Sequence, residues 1–341
     1  MRKLFVLLAA LALFASNFAS VVAQDASPGA MGPSKLSQAG LPELRVTASG
    51  GALQAPAEVA AGTVLVVLDN QMDAFIGFSL IGIPEGSSFE EVMMVLGPPP
   101  APEGSPEAGA EASPAGGEEE MGPPPPLFFD ITWAGGVFAA PGSVGEIAVT
   151  LTPGEWVLAG PPEEGLPPVT LTVTGEAPTP VEVPADASVT LKNFSFEIPA
   201  DLAAGQQVWE VTNAGDDPQQ PHEMFVTKTP RRLTLEEVEV LLALPEDELP
   251  PEGYPNPAEF EDVGGVAPIS ADQTVYFELN LEPGAYVAVC FMPEKETGEP
   301  HAMKGMIVVF EIPEEGQTVE PPASPVPAEE HDMEGMGTPT S

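Results

Sequence analysis

Residues 134–160, "AGGVFAAPGSVGEIAVTLTPGEWVLAG", can be laid on residues 263–291, "VGGVAPISADQTVYFELNLEPGAYVAVCF", and this self-similarity constrains the fold more than any other feature of the chain. Both stretches hold a Gly-Gly-Val, an alternating segment, a Leu-x-Pro-Gly and an aromatic residue that opens another alternating segment. Upstream, "VAAGTVLVVLDN" (59–70) matches "LAAGQQVWEVTN" (202–213). A helix pattern follows each, "SFEEVMMVLG" (88–97) and "TLEEVEVLLAL" (234–244), with Ser88 to Glu91 and Thr234 to Glu237 spaced as capping boxes. A unit of about 130 residues, an ordinary domain size, is therefore present twice.

Within each copy, runs such as "TVLVVLD", "EIAVTLT", "SVTLKNFSFEI", "QQVWEVT" and "TVYFELNL" alternate apolar and polar residues with period two and are punctuated by turn residues. Short alternating strands at this spacing predict an all-β chain, one antiparallel β-sandwich in each of 43–175 and 179–312, joined near 175–183, each with one short helix. Residues 24–42 read as a linker. The stretch 97–126 is rich in Pro, Gly and Glu without apolar periodicity and reads as a disordered insertion; 313–341 reads as an acidic disordered tail.

Met1, Arg2 and Lys3 precede the short apolar run "LFVLLAALALFA" and small residues at Val21 and Ala23, the pattern of a signal peptide over 1–23 cleaved after Ala23. No later segment is apolar for long enough to span a membrane. The expected location is thus secreted or periplasmic. With 52 acidic against 10 basic residues, a formal charge of −42, the chain would be repelled by nucleic acid and by anionic membranes, and a charged partner would be basic.

Cys290 is the only cysteine, so no intramolecular disulfide forms, and a free thiol in an oxidising compartment survives by burial or metal binding. In "AYVAVC", Tyr286, Ala288 and Cys290 share one face of a strand. His301 and Met306 follow across a loop, and His222 stands directly after Pro221 at the start of another strand. Two imidazoles, a thiolate and a thioether at one end of a sandwich make the ligand set of a blue-copper site. Val287 and Val289, on the opposite face, are expected to be covered, with the first half the candidate cover.

The "NAG" then "PH" of 213–222, the "PGAYVAVC" leading to Cys290 and the spacing of "HAMKGM" resemble the cupredoxin family, the plastocyanin and azurin type of blue copper protein. The resemblance covers 179–312 and extends to 43–175 as fold alone. It implies tandem Greek-key sandwiches of which the second binds one copper ion, cycling between Cu(I) and Cu(II), through His222, Cys290 and His301, with Met306 as axial ligand and Met303 its rival. Ten residues, 291–300, separate Cys290 from His301 where the family has a few, and Glu223 stands where it usually has Asn. The first copy has Gly160 in place of Cys290 and no ligand type in "AFIGFSL" (74–80). Its expected role is structural.

The function implied is a non-enzymatic single-electron carrier that passes electrons through an exposed His301 imidazole to a redox partner protein. Two other readings are copper sequestration or delivery, and a metal-free interaction module. His331, Met333 and Met336 read as part of a solvated tail.

Overall fold

The computed structural model describes residues 34–97, 123–160, 165–176, 181, 183–245 and 248–325. The expected signal peptide, most of the insertion and the end of the tail, with His331, Met333 and Met336, lie outside the described residues. Strands dominate. In chain order the first half contributes β1 (Glu43–Ser49), β2 (Ala52–Gln54), β3 (Glu58–Ala60), β4 (Gly62–Asn70), β5 (Ile76–Gly82), helices α1 (Phe89–Leu96) and α2 (Pro126–Asp130), then β6 (Thr132–Ala139), β7 (Val144–Leu151), β8 (Gly154–Ala159) and β9 (Val169–Thr174). The second half contributes β10 (Ala187–Lys192), β11 (Ser195–Glu197), β12 (Gly205–Asn213), β13 (His222–Thr229), helix α3 (Leu235–Leu242), β14 (Glu261–Ile269), β15 (Thr274–Leu281), β16 (Gly284–Val289) and β17 (Ile307–Ile312).

These strands form two sheets, and each sheet runs through both halves. One has the order β11-β10-β12-β15-β7-β4-β1-β2, the other β17-β16-β13-β14-β6-β5-β8-β9-β3. The halves are therefore not two sandwiches connected only near 175–183. They lie edge to edge, with β15 antiparallel to β7 and β14 antiparallel to β6. At the first junction Phe277 pairs with Ile147. These two residues stand equally far before Gly154 and Gly284 of the shared Leu-x-Pro-Gly, so matched positions of the two copies meet. Joining the halves in this way pairs strand edges that would otherwise stay open to other chains.

The Gly-Gly-Val has a packing cause. A Cβ on Gly136 would collide with Phe78 O of the neighbouring strand, and one on Gly265 with Met224 O, so only glycine lets the backbones approach at these corresponding points.

Both capping boxes form: Ser88 Oγ accepts from Glu91 N at 3.2 Å and Glu91 Oε2 from Ser88 N at 2.8 Å, while Thr234 Oγ1 accepts from Glu237 N at 3.1 Å and Glu237 Oε2 from Thr234 N at 2.9 Å. Each cap is worth about 1 kcal/mol. The helices close the outer face of the second sheet. α1 brings Val92 onto Ile81 and Val157, and α3 brings Val238 onto Val287, Val289 and Val309. Val287 and Val289 are thus covered by the helix of their own half, not by the first half. Because the halves lie edge to edge, the first half extends the sheet sideways and leaves this outer face to the helix.

Three other expectations change. Leu36, in the stretch read as a linker, is fully buried with Val183, Val208 and Tyr276. The first half has a second helix, α2, which starts at Pro126, the last residue of the stretch read as an insertion, and buries Phe129. In the stretch read as a tail, Ala323 exchanges two 2.9 Å main-chain hydrogen bonds with Val309. Leu36 and Ala323 are isolated apolar residues without a period, and the apolar run of α2, Leu127 to Phe129, is too short to distinguish a helix from a strand. No helix among the described residues is long and apolar enough to cross a membrane.

Candidate metal centre

The main core runs between the sheets across both halves, and Met224, Ala288, Cys290 and Met306 belong to its second-half end. Cys290 directly follows β16, on the inward face with Tyr286 and Ala288, as strand parity requires. His222 opens β13 opposite Ile269, and a bulge separates it from the pairing of Met224. Bulges re-aim side chains at the ends of strands.

Asn213, fully buried at the end of β12, fixes the loop that delivers His222. Its side-chain amide donates to Gln220 O (3.1 Å) and Ile269 O (2.9 Å), and its carbonyl oxygen accepts from Gly215 N (3.0 Å). Asn70 does the same in the first half, donating to Ala74 O and Ala139 O. The sequence reading missed this role, although the matched "VLDN" and "VTN" endings carried the signal.

The ten-residue stretch after Cys290 does not separate the ligands. Pro293 bridges Pro300, Glu294 N donates to Glu299 O (2.8 Å), and His301 N donates to Met292 O (2.8 Å), so 291–300 doubles back as a hairpin. At its base Ala302 N donates to Cys290 O (2.8 Å), Cys290 N to Met306 O (3.2 Å) and Met306 N to His301 O (2.9 Å). Loop length ceases to matter once the base is pinned.

The structure brings His222, Cys290 and His301 together: one donor atom from each lies within 4.8 Å of the others. His222 Nδ1 is 3.0 Å from His301 Nδ1, and Cys290 Sγ is 3.4 Å from His301 Nδ1. A first-row metal bonded at about 2.0 Å to nitrogen and 2.3 Å to sulfur has ligand-to-ligand edges of about 3–4 Å, so these donors fit such an ion. Met306 is fully buried beside them in the chain, whereas Met303 is only half-buried.

His301 is fully buried as well. The expectation of an exposed imidazole is therefore wrong. The Phe194 ring stands edge-on to it at 5.0 Å, and the Gln220 side-chain amide meets its Nε2. A residue of the first hairpin of this half covers it, which no feature near His301 in sequence announces.

Burial sets the protonation of the cluster. It holds the His222 imidazole down to about 4 and His301 well below its usual range, the latter helped by His222 and Lys304. Burial, then the Glu223 carboxylate, pushes the Cys290 thiol up. Neutral imidazoles are ready ligands, while the thiol must lose its proton to bind metal. Glu223 ties the ligand strands together: its N–H points to Cys290 Sγ (3.5 Å) and its Oε1 accepts from Phe291 N (3.0 Å). Burial raises its carboxyl to about 8.

These shifts set opposite pH dependences for the stability of the metal-free protein. His222 is depressed from 6.5 to about 4, so its contribution is complete above pH 6.5 and is lost as pH falls towards 4. Glu223 is raised from 4.5 to about 8, so its contribution is complete below pH 4.5 and is lost as pH rises towards 8. Urea titrations across pH 4–9 should find that Glu223→Gln flattens the loss on the alkaline side and leaves the acid side unchanged. Equal slopes in both proteins would contradict this assignment.

No family model and no curated protein matches the chain. Among solved structures, it is similar to reduced auracyanin from Roseiflexus castenholzii (16% identity, 37% of this chain, 95% of that one, TM-score 0.25). It is similar to an azurin from Methylomonas sp. strain J (13%, 37% and 96%, TM-score 0.22) and to a copper-containing nitrite reductase from Thermus scotoductus SA-01 (12%, 84% and 64%, TM-score 0.22). These likenesses are partial and of low identity. The chemistry of the site rests on its own donors.

Proposed function

We propose that the chain is an exported type 1 copper protein that carries single electrons, with the metal held by His222, Cys290 and His301 and axially by Met306. The observation that carries this reading is the convergence of two imidazole nitrogens and the chain's only thiol, all fully buried, at 3.0 and 3.4 Å. A soft thiolate with two imidazoles and a weak axial thioether is the donor set that suits copper in both oxidation states. Bound copper would supply a reversible one-electron couple between Cu(I) and Cu(II). The protein's part is to fix the donors: Asn213 holds the His222 loop, the 291–300 hairpin pins His301 to Cys290, and Glu223 N–H faces the sulfur.

In this reading the two halves are tandem cupredoxin-like units, 43–175 and 179–312, and the first is structural. Register supports that division of labour. Ser79 pairs with Ala159 as Phe225 pairs with Val289, which places Ile76 at the position of His222 and Gly160 at that of Cys290. Residues 1–23 would direct export, and the net charge of −42 favours a basic redox partner. An electron leaving His301 would pass the half-buried Phe194 ring.

Copper sequestration or delivery is the second reading, favoured by the complete burial of all three donors. Adding Cu(II) to the purified protein and recording visible absorption and electron paramagnetic resonance separates the two. The carrier reading requires strong thiolate-to-copper absorption with a narrow copper hyperfine splitting. Met306→Leu should keep the colour and raise the reduction potential, because it removes a weak axial donor while leaving the three strong ones. An unchanged potential would remove Met306 from the ligand set.

A further inference from the structure

All three donors are fully buried, so a metal ion reaches them only when some covering element moves. Two of the covers are tied down. The 291–300 hairpin is closed by its own main-chain bonds. The 214–221 loop is held by Asn213, by Lys295 Nζ to Asp217 Oδ2 (3.0 Å) and by Gln219 Nε2 to Asp130 Oδ1 of the first half (2.6 Å).

The third cover is the two-residue turn Asn193–Phe194 between β10 and β11. β11 has three residues, stands at the edge of its sheet and pairs with β10 alone. Leu191 and Phe196 anchor the strands of this hairpin in the core, and next to the turn it carries the exposed pair Lys192–Glu197, a kind of contact worth little, so the turn is its less tethered end. Phe194 has φ 56°, a left-handed conformation that a bulky side chain adopts only when its surroundings enforce it. The two-residue turn between Lys192 and Ser195 calls for it, and the ring packs against His301 and the core in that conformation.

The same turn faces the other imidazole. His222 Nε2 is buried without a hydrogen-bond partner. Asn193 Oδ1 approaches it across Gly215: a Cβ on that glycine would lie 2.7 Å from Asn193 Oδ1 and 3.3 Å from His222 Nε2. When Nδ1 holds a metal, Nε2 carries the proton and needs an acceptor, which the Asn193 carbonyl oxygen can supply.

We infer that the Asn193–Phe194 turn is the gate of the metal centre: it swings out to admit the ion, and on closing it seals His301 with Phe194 and offers Asn193 to His222. The inference rests on the metal-binding reading above, and its test separates the two. In the metal-free, full-length protein the sole thiol reports opening through its rate of reaction with Ellman's reagent, because a buried thiol is inert until exposed. Phe194→Gly relieves the backbone and removes the ring. It should speed the reaction of Cys290 by at least about tenfold and accelerate the growth of the visible band after Cu(II) addition by a similar factor. Phe194→Asn, which tolerates the same φ, carries the same expectation if the glycine variant melts below the assay temperature.

Ile147→Ala is the control, destabilised in the core but intact at the turn. Thiol reaction unchanged in both Phe194 variants overturns the inference. So does acceleration by Ile147→Ala equal to theirs, which would mean that the cluster opens by global unfolding, and so does greater acceleration by Gln219→Ala, which would move the gate to the 214–221 loop. A protein that gains thiol reactivity in Phe194→Gly yet develops no colour or copper resonance keeps the gate and loses the copper reading.

Discussion

Cys290→Ser should abolish the intense visible absorption that Cu(II) gives the wild-type protein, leaving no residual band. The absorption arises from charge transfer out of a soft thiolate, and serine offers a hard oxygen whose proton a metal does not readily displace at neutral pH. The effect is complete because no second cysteine exists to substitute. The fold should survive. Cys290 is fully buried, with Glu223 N 3.5 Å from its sulfur, so the new hydroxyl has a donor beside it, and the cost of placing it there should be about 1–3 kcal/mol. Far-ultraviolet circular dichroism and a thermal melt check the fold, and a titration with Cu(II) checks the colour. Copper binding that is colourless in both proteins would falsify the electron-carrier reading and favour sequestration.

Ile147→Ala, in the first half, should lower the stability of the whole molecule, including the distant centre, by about 2–5 kcal/mol, the usual range for truncating a buried isoleucine. In a cooperative unit of this size that corresponds to a fall of about 4–9 °C in melting temperature. Ile147 is 1% exposed and pairs with Phe277, whose ring packs edge-on to Trp209 at 6.0 Å, and all three belong to the core that also holds Cys290 and Met306. A continuous core and continuous sheets leave no boundary at which one half can melt alone. Calorimetry should record one transition in wild type and variant, and the copper colour should disappear at the same temperature as the secondary structure. Two transitions, with the colour surviving the first, would establish that the halves are energetically separate despite their shared sheets.

Period-two alternation, the two capping boxes and the parity of Tyr286, Ala288 and Cys290 could be read directly in the sequence. Each depends only on neighbours along the chain: side chains alternate along any strand, and a Ser or Thr three residues before a Glu caps any helix that follows. The order of His222, Cys290 and His301 was equally legible, since it needs only residue type and strand parity, and the structure brings those three side chains together. What covers each surface was not legible. The sequence gives Val287 and Val289 an apolar face but no partner, and it is the packing of α3 that supplies one. It marks β7 and β15 as strands, while their pairing at Ile147 and Phe277 is a choice among edges made over long separations. The burial of His301 was also decided in three dimensions, because Phe194 reaches it from more than a hundred residues away and is held in a left-handed conformation that its own sequence does not favour. Local geometry is dictated by local residues; which edge pairs and which face is sealed depend on long-range contacts whose energy exists only once the sheets have formed.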